Sequence, residues 1–253
     1  MLLIAVLLLG LLTADAEQDT PARVQEPVQL REGVFEKTIE RRVALRYLLY
    51  LPRDYGQRDV SWPMILYLHG GMGRGDDFEK MSWYPLPRML REPGHDFPFI
   101  ALMPQCPEND IWDSEALHAL VDEVSASYAI DPDRIYLVGY SMGGTGAWRL
   151  ALAYPERFAA AAPMSGYADP ARAARLKGVP VWVFHGAKDD RVPPNESEKM
   201  VAALEAAGAD VRFSLDPERG HSPPSDEEHM RLFEWLLTYR RGAVQPPGDG
   251  AKP

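Results

Sequence analysis

Four short, unbroken apolar runs constrain this chain more than any other feature: Met64–Leu68, Phe99–Met103, Ile135–Val138 and Val181–Phe184. Such a run, with no polar alternation, suits a strand covered on both faces, as in a parallel sheet between helices. Ala159–Met164 and Val211–Leu215 extend the set. Val43, Leu45, Tyr47, Leu49 and Leu51 instead alternate with their neighbours, which predicts an early antiparallel strand with one wet face. Between these runs, Leu117, Leu120, Val121, Val124 and Tyr128 form one stripe at helical spacing. Asn195 with Glu198, and Ser225 with Glu228, are helix start signals, and Gly208 closes the first of those helices. Strands alternating with helices predict an α/β sandwich: a mostly parallel sheet, helices on both faces, and a site at the carboxyl ends of the strands.

The 253 residues suffice for one sizeable domain, and the 46% hydrophobic and 25% charged composition is that of a soluble globular protein. A net charge of −10 argues against nucleic acid as a partner, because that affinity comes from Lys and Arg neutralising phosphates. Residues 1–16 read as a signal peptide. Leu2–Leu12 is apolar but too short to cross a bilayer, and Ala14-Asp15-Ala16 offers small residues for cleavage, although no Lys or Arg precedes the run. This predicts a secreted or periplasmic protein with no membrane span after cleavage. Residues 17–33, with Pro21 and Pro27, read as an extended lead-in, residues 34–241 as the catalytic domain, and residues 242–253 as a disordered tail. Cys106 is the only cysteine, so no intrachain disulfide can form; it reads as a small buried hydrophobe. No His or Cys cluster suggests a metal, and the chemistry below needs no cofactor.

That chemistry centres on Gly139-Tyr140-Ser141-Met142-Gly143, which follows the run Ile135–Val138 and precedes an Ala- and Leu-rich segment ending at Pro155. Strand, sharp turn and helix are the context in which G-x-S-x-G presents a nucleophile. Strand and helix crowd at the turn, so neighbouring positions must lack a Cβ. Ser141 is the candidate nucleophile, and the Met142 N–H, at a helix N-terminus, is a candidate donor to an oxyanion. A serine hydroxyl needs a base, usually a histidine held by a carboxylate, and in this kind of site the chain order is Ser, acid, His. His221 meets that order from a loop between the last strand and the last helix. His95 and His118 precede the serine, His229 falls inside the final helix, and His185 reads as a buried structural residue at a strand end. The acid is Asp189 or Asp190, adjacent in the same loop. A second oxyanion donor is expected from the glycine-rich Leu68-His69-Gly70-Gly71-Met72-Gly73, with Gly71 preferred and Gly70 the alternative.

Together with Pro104-Gln105-Cys106-Pro107, Trp112, His185-Gly186-Ala187-Lys188-Asp189, Val192-Pro193 and Gly220-His221, these segments resemble the phospholipase/carboxylesterase and esterase branch of the α/β-hydrolase superfamily. They are similar in particular to small secreted esterases related to feruloyl esterases and polyhydroxybutyrate depolymerases, over roughly Val34 to Arg240. The resemblance implies an α/β-hydrolase fold and a triad of Ser141, Asp189 and His221. It picks Asp189 over Asp190 because the family's acid sits four residues after the His of the His-Gly strand end, followed by Val-Pro. It also implies oxyanion donors at Gly71 and Met142. The expected activity is hydrolysis of small or polymer-attached carboxylic esters, with a serine peptidase, an acyltransferase or a non-catalytic binding module as alternatives.

Only about fifteen residues separate the strand ending near Ser165 from the one starting at Val181, too few for a cap domain. In the longer stretch Met72–Pro98, Phe78, Met81, Trp83, Tyr84, Leu86 and Met89 are candidates, with Trp112, for an acyl or aryl pocket. Helix packing under a long loop is the plainer reading of them.

Overall fold

Seven strands pair into one sheet: β1 (Arg46–Tyr50), β2 (Trp62–Leu68), β3 (Ile100–Gln105), β4 (Ile130–Tyr140), β5 (Ala160–Met164), β6 (Val181–Gly186) and β7 (Val211–Asp216). The computed structural model describes Val34, Lys37 and residues 40–57 and 59–243; the expected signal peptide, lead-in and most of the expected tail lie outside the described residues. The strand order is β1-β3-β2-β4-β5-β6-β7. As the alternating pattern predicts, β1 runs antiparallel, against β3, and every other pairing is parallel. Contacts divide the chain into Met1–Arg41 and Arg42–Pro253, and the sheet belongs wholly to the second unit.

Both faces of the sheet are covered, which is why the strands read as continuous apolar runs. Met64, Leu66 and Leu68 of β2 pack on one face with Leu117 and Val121 of α2 (Ser114–Ser127), Trp148 of α3 (Met142–Ala153) and Met200 and Leu204 of α4 (Asn195–Ala206). The intervening Ile65 and Tyr67 point the other way, onto Leu86 and Met89 of α1 (Pro85–Met89) and Leu232, Phe233 and Leu236 of α5 (Asp226–Leu237). Each such side chain, fully buried, contributes about 1.5–3 kcal/mol.

The helix ends follow local chemistry. Ser225 and Glu228 form a complete capping box at the start of α5. Gly208, at φ +71°, ends α4 in a Schellman arrangement, its N–H bonding to the Glu205 carbonyl and that of Ala209 to Leu204. The Asn195 signal needs correction: Asn195 is the first helical residue and Pro194 holds the cap position without a side-chain bond. Two prolines explain this. Their fixed φ already suits a helix, so the first turn closes on them, with Glu196 N–H bonding to the Pro193 carbonyl and Ser197 N–H to Pro194. Between β5 and β6 the helical element is the short 3-10 helix Pro170–Leu176.

Candidate active site

Ser141 is the whole of the turn between β4 and α3 and adopts φ 58°, ψ −117°. A non-glycine residue in that region costs on the order of 1–3 kcal/mol and persists only where its surroundings fix it. Here its N–H donates to the Met164 carbonyl at 2.8 Å, and its carbonyl accepts the Thr145 N–H at 2.9 Å. The flanking glycines answer to crowding. A Cβ on Gly139 would overlap the Gly143 carbonyl, and one on Gly143 would overlap the Leu68 carbonyl.

The loops after β6 and β7 bring the other two candidates to this serine. His221 Nε2 lies 2.8 Å from Ser141 Oγ, and its Nδ1 lies 2.7 Å from Asp189 Oδ2. A carboxylate only accepts, so the Nδ1 proton faces Asp189 and the Nε2 lone pair faces the serine hydroxyl. The Asp189 side chain is fully buried. Burial alone would raise its pKa, but the Val192 N–H, the His221 ring and the Arg191 N–H outweigh burial and hold the carboxyl below its usual range. Both backbone N–H groups reach Oδ1 at 2.9 Å. Asp190, its neighbour, is exposed.

His185, buried as the sequence suggests, ties this acid turn to α4. Its Nε2 lies 2.9 Å from the Val192 carbonyl and 3.3 Å from Asp189 Oδ2, and its Nδ1 2.7 Å from Ser197 Oγ. The carbonyl fixes the proton on Nε2, so the Ser197 hydroxyl donates to Nδ1.

The two candidate oxyanion donors both stand at helix starts. Met142 opens α3 and Gly71 opens the 3-10 turn Gly71–Gly73, so each N–H is a first-turn group with no partner inside its own helix. His69, to which the sequence assigned no role, holds the Gly71 loop. Cys106 N–H donates to its Nε2 at 3.0 Å, so the proton sits on Nδ1 and goes to the Gly70 carbonyl at 2.7 Å. Trp112 Nε1–H bonds the His69 carbonyl at 3.1 Å. The signal for this residue was its place in Leu68-His69-Gly70-Gly71, where a histidine directly before the glycines can brace their carbonyls.

Burial pushes the pKa of His69 down to about 4, and burial lowers that of His229 as well. A histidine whose folded pKa lies below its unfolded value of about 6.5 contributes stability that is complete above the unfolded value and lost as pH falls through the folded one. For His69 alone, the expected loss between pH 7 and pH 4 is about 3 kcal/mol of unfolding free energy. Urea titrations of the native chain and of His69→Gln at both values check it. The native chain should lose stability toward pH 4 more steeply than the variant, and equal slopes would contradict the assignment.

The remaining candidates serve the fold. His118 stacks on Tyr154 at 4.0 Å, His95 lies parallel to Phe97, and His229 Nδ1–H bonds the Ser225 carbonyl. Cys106 is buried and its thiol is pushed up to about 11, so it stays protonated at neutral pH. Of the residues considered for an acyl or aryl pocket, Trp112 lines the cavity beside Ser141. Met81, Tyr84, Leu86 and Met89 are instead buried under the sheet, and Trp83 is 79% exposed. Met81, Leu86 and Met89 of that stretch bury their apolar face in the cluster that includes α5, whereas Tyr84 stands at the edge of the site, its ring against His69 and Tyr140 and its hydroxyl against the loop of residues 70–73. The cavity measures about 260 Å³ and is walled by Met142 and Thr145 of α3 together with Ile111, Trp112, Tyr167 and Val192.

A seven-stranded sheet of this order, with a strained serine at the β4–α3 turn and a histidine and an acid on the loops after β7 and β6, is the architecture of an α/β-hydrolase. The chain has that fold. The family model described as "Putative esterase" matches residues 89–214, just under half of the chain. A "Probable carboxylesterase SOBER1-like" of Arabidopsis thaliana is 27% identical over 161 residues, covering 61% of this chain and 58% of that protein. Among solved structures, one titled as a thermostable esterase is 30% identical with a TM-score of 0.66, over 78% of this chain and 60% of that one. Esterase PE8, at 24% identity and a TM-score of 0.59, matches 77% of this chain and 99% of its own length, a likeness of fold. The chain thus spans about three fifths of the Arabidopsis relative and of the thermostable esterase.

Proposed function

We propose that this protein is an exported serine hydrolase that cleaves carboxylic esters through an acyl-enzyme on Ser141. The observation that carries the reading is the unbroken hydrogen-bonded relay Asp189–His221–Ser141, ending on a serine held at a strained turn and followed directly by the first-turn N–H of Met142. The esterase relatives support the choice of ester over other acyl substrates.

In this mechanism Ser141 Oγ attacks the ester carbonyl carbon while its proton passes to His221 Nε2. The carbonyl oxygen, now negative, takes hydrogen bonds from the N–H groups of Met142 and Gly71, each worth about 100- to 1,000-fold in turnover. Asp189 holds the imidazole tautomer and offsets its positive charge. The alcohol leaves with the proton from His221. Water then attacks the acyl-enzyme, His221 takes its proton, and the acid departs as Ser141 regains its own. The short β5–β6 connection leaves the serine accessible to water-soluble or polymer-attached esters.

The test is intact-mass analysis after treatment with a fluorophosphonate, with turnover of p-nitrophenyl acetate and butyrate. A single adduct mapped to Ser141 and turnover of both esters is the expected result. Faster cleavage of peptide anilides would make it a peptidase, and preferential transfer to an added alcohol a transferase. No adduct and no turnover would leave a binding module on the same fold. Export is tested separately, by fractionating cells that express residues 1–253 and a chain beginning at Glu17. Retention of both in the cytoplasm would overturn it.

A further inference from the structure

The cavity beside Ser141 has one charged residue in its wall, Arg149, and no carboxylate. That is unusual in a chain of net charge −10, whose other arginines are mostly engaged. Arg88, Arg157, Arg219, Arg240 and Arg241 all pair with acidic side chains. Arg149 has neither an ion pair nor a hydrogen bond among the described residues. Its guanidinium is an exposed, uncommitted bidentate donor at the mouth of a mostly apolar cavity.

Helix geometry fixes where that charge can reach. Met142, Thr145, Gly146 and Arg149 all line the cavity, and their spacing places them on one stripe of α3. At 1.5 Å of rise per residue, the Arg149 backbone lies roughly 12 Å along the axis from Ser141. Helical side chains lean toward the N-terminus, which brings the guanidinium back to roughly 5–8 Å from the serine hydroxyl. The intervening wall is apolar on the far side, from Ile111, Trp112 and Val192.

The leaving group and the acyl group cannot share this space. His221 must protonate the leaving alcohol, so that group lies against His221, which is absent from the cavity wall. The cavity is therefore the acyl side.

We infer that the acyl group of the preferred substrate carries a terminal carboxylate, bound by Arg149: a half-ester of a short dicarboxylic acid, with up to about five carbons between the two carbonyl groups. This rests on the serine-esterase reading above. Arg149 sets specificity by holding the distal anion, and the apolar wall holds the methylenes between.

The experiment compares mono-p-nitrophenyl glutarate with its neutral methyl ester, matched in length and leaving group, and includes p-carboxyphenyl acetate, which carries its charge on the alcohol side. Native protein should show a kcat/KM for the anionic glutarate roughly tenfold above that for the methyl ester, as expected for a charge-assisted hydrogen bond at a partly solvated site. In Arg149→Ala that ratio should fall to about one, in Arg149→Glu it should invert, and Arg149→Lys should restore part of it. Salt should weaken the native preference. A native ratio of one or less, an unchanged ratio in Arg149→Ala, or a preference for the charged alcohol instead would each overturn the inference. If no ester is turned over, the hydrolase reading fails first. Calorimetric binding of monomethyl glutarate to native and Arg149→Ala protein then decides the anion site alone: loss of binding in the variant keeps it, and equal binding or none in the native protein removes it.

Discussion

Replacing Ser141 or His221 by alanine is expected to lower kcat for p-nitrophenyl butyrate by about a million-fold each, and the double variant by no more than either single change. In the proposed mechanism nucleophile and base form one unit. His221 Nε2, 2.8 Å from Oγ, has no function in attack without the hydroxyl, and the hydroxyl without the base is as weak a nucleophile as any free serine. Asp189→Ala should cost less, about ten-thousand-fold, because it acts through His221 rather than on the substrate. Its loss also leaves Nδ1 of a nearly buried ring without its acceptor, so the imidazole can turn to the wrong tautomer. Asp190→Ala is the internal control and should leave kcat within about twofold, since that side chain is exposed and outside the relay. Stopped-flow kinetics at pH 8 with the native protein and all five variants measure the set. A multiplicative double variant, or a larger loss from Asp190→Ala than from Asp189→Ala, would break the proposed relay.

The sequence made the sheet legible because burial on both faces writes continuous apolar runs, and the antiparallel edge legible because its alternation differs from them. It left Asp189 and Asp190 equivalent, since both are acids in one loop. What separates them is that the Arg191 and Val192 N–H groups and His185 all converge on one of the two, a consequence of the turn and not of residue type. The stretch Phe78–Met89 was ambiguous for a related reason: apolar residues destined for core and for a pocket look alike, and only the position of α5 assigns Met81, Leu86 and Met89 to the core. His69 and Arg149 were missed differently. The first acts through backbone carbonyls, which leave no pattern in the sequence, and the second is one arginine on a helix whose significance lies in what does not pair with it.

Gly143→Ala is expected to destabilise the fold by about 3 kcal/mol or more and to lower kcat at least a hundred-fold in whatever protein still folds. The added Cβ would meet the Leu68 carbonyl at a distance no real Cβ shows, and the His69 carbonyl at 2.8 Å. Neither oxygen can retreat. Leu68 ends β2, which is paired on one side with β3 and on the other with β4, and His69 is pinned through its ring and its carbonyl to Cys106 and Trp112. Strain must therefore go to the start of α3, moving Ser141 away from His221 and Met142 away from the position proposed for it as an oxyanion donor. Gly178→Ala separates this from a general intolerance of glycine replacement, because a Cβ there meets nothing within 4 Å and the backbone needs no positive φ. That variant should unfold within about 0.5 kcal/mol of the native chain or slightly above it. Urea midpoints of the two variants, read by tryptophan fluorescence, measure the difference. Equal midpoints would mean that β2 and α3 can separate without loss, and that the close approach behind the serine is not what holds its strained turn.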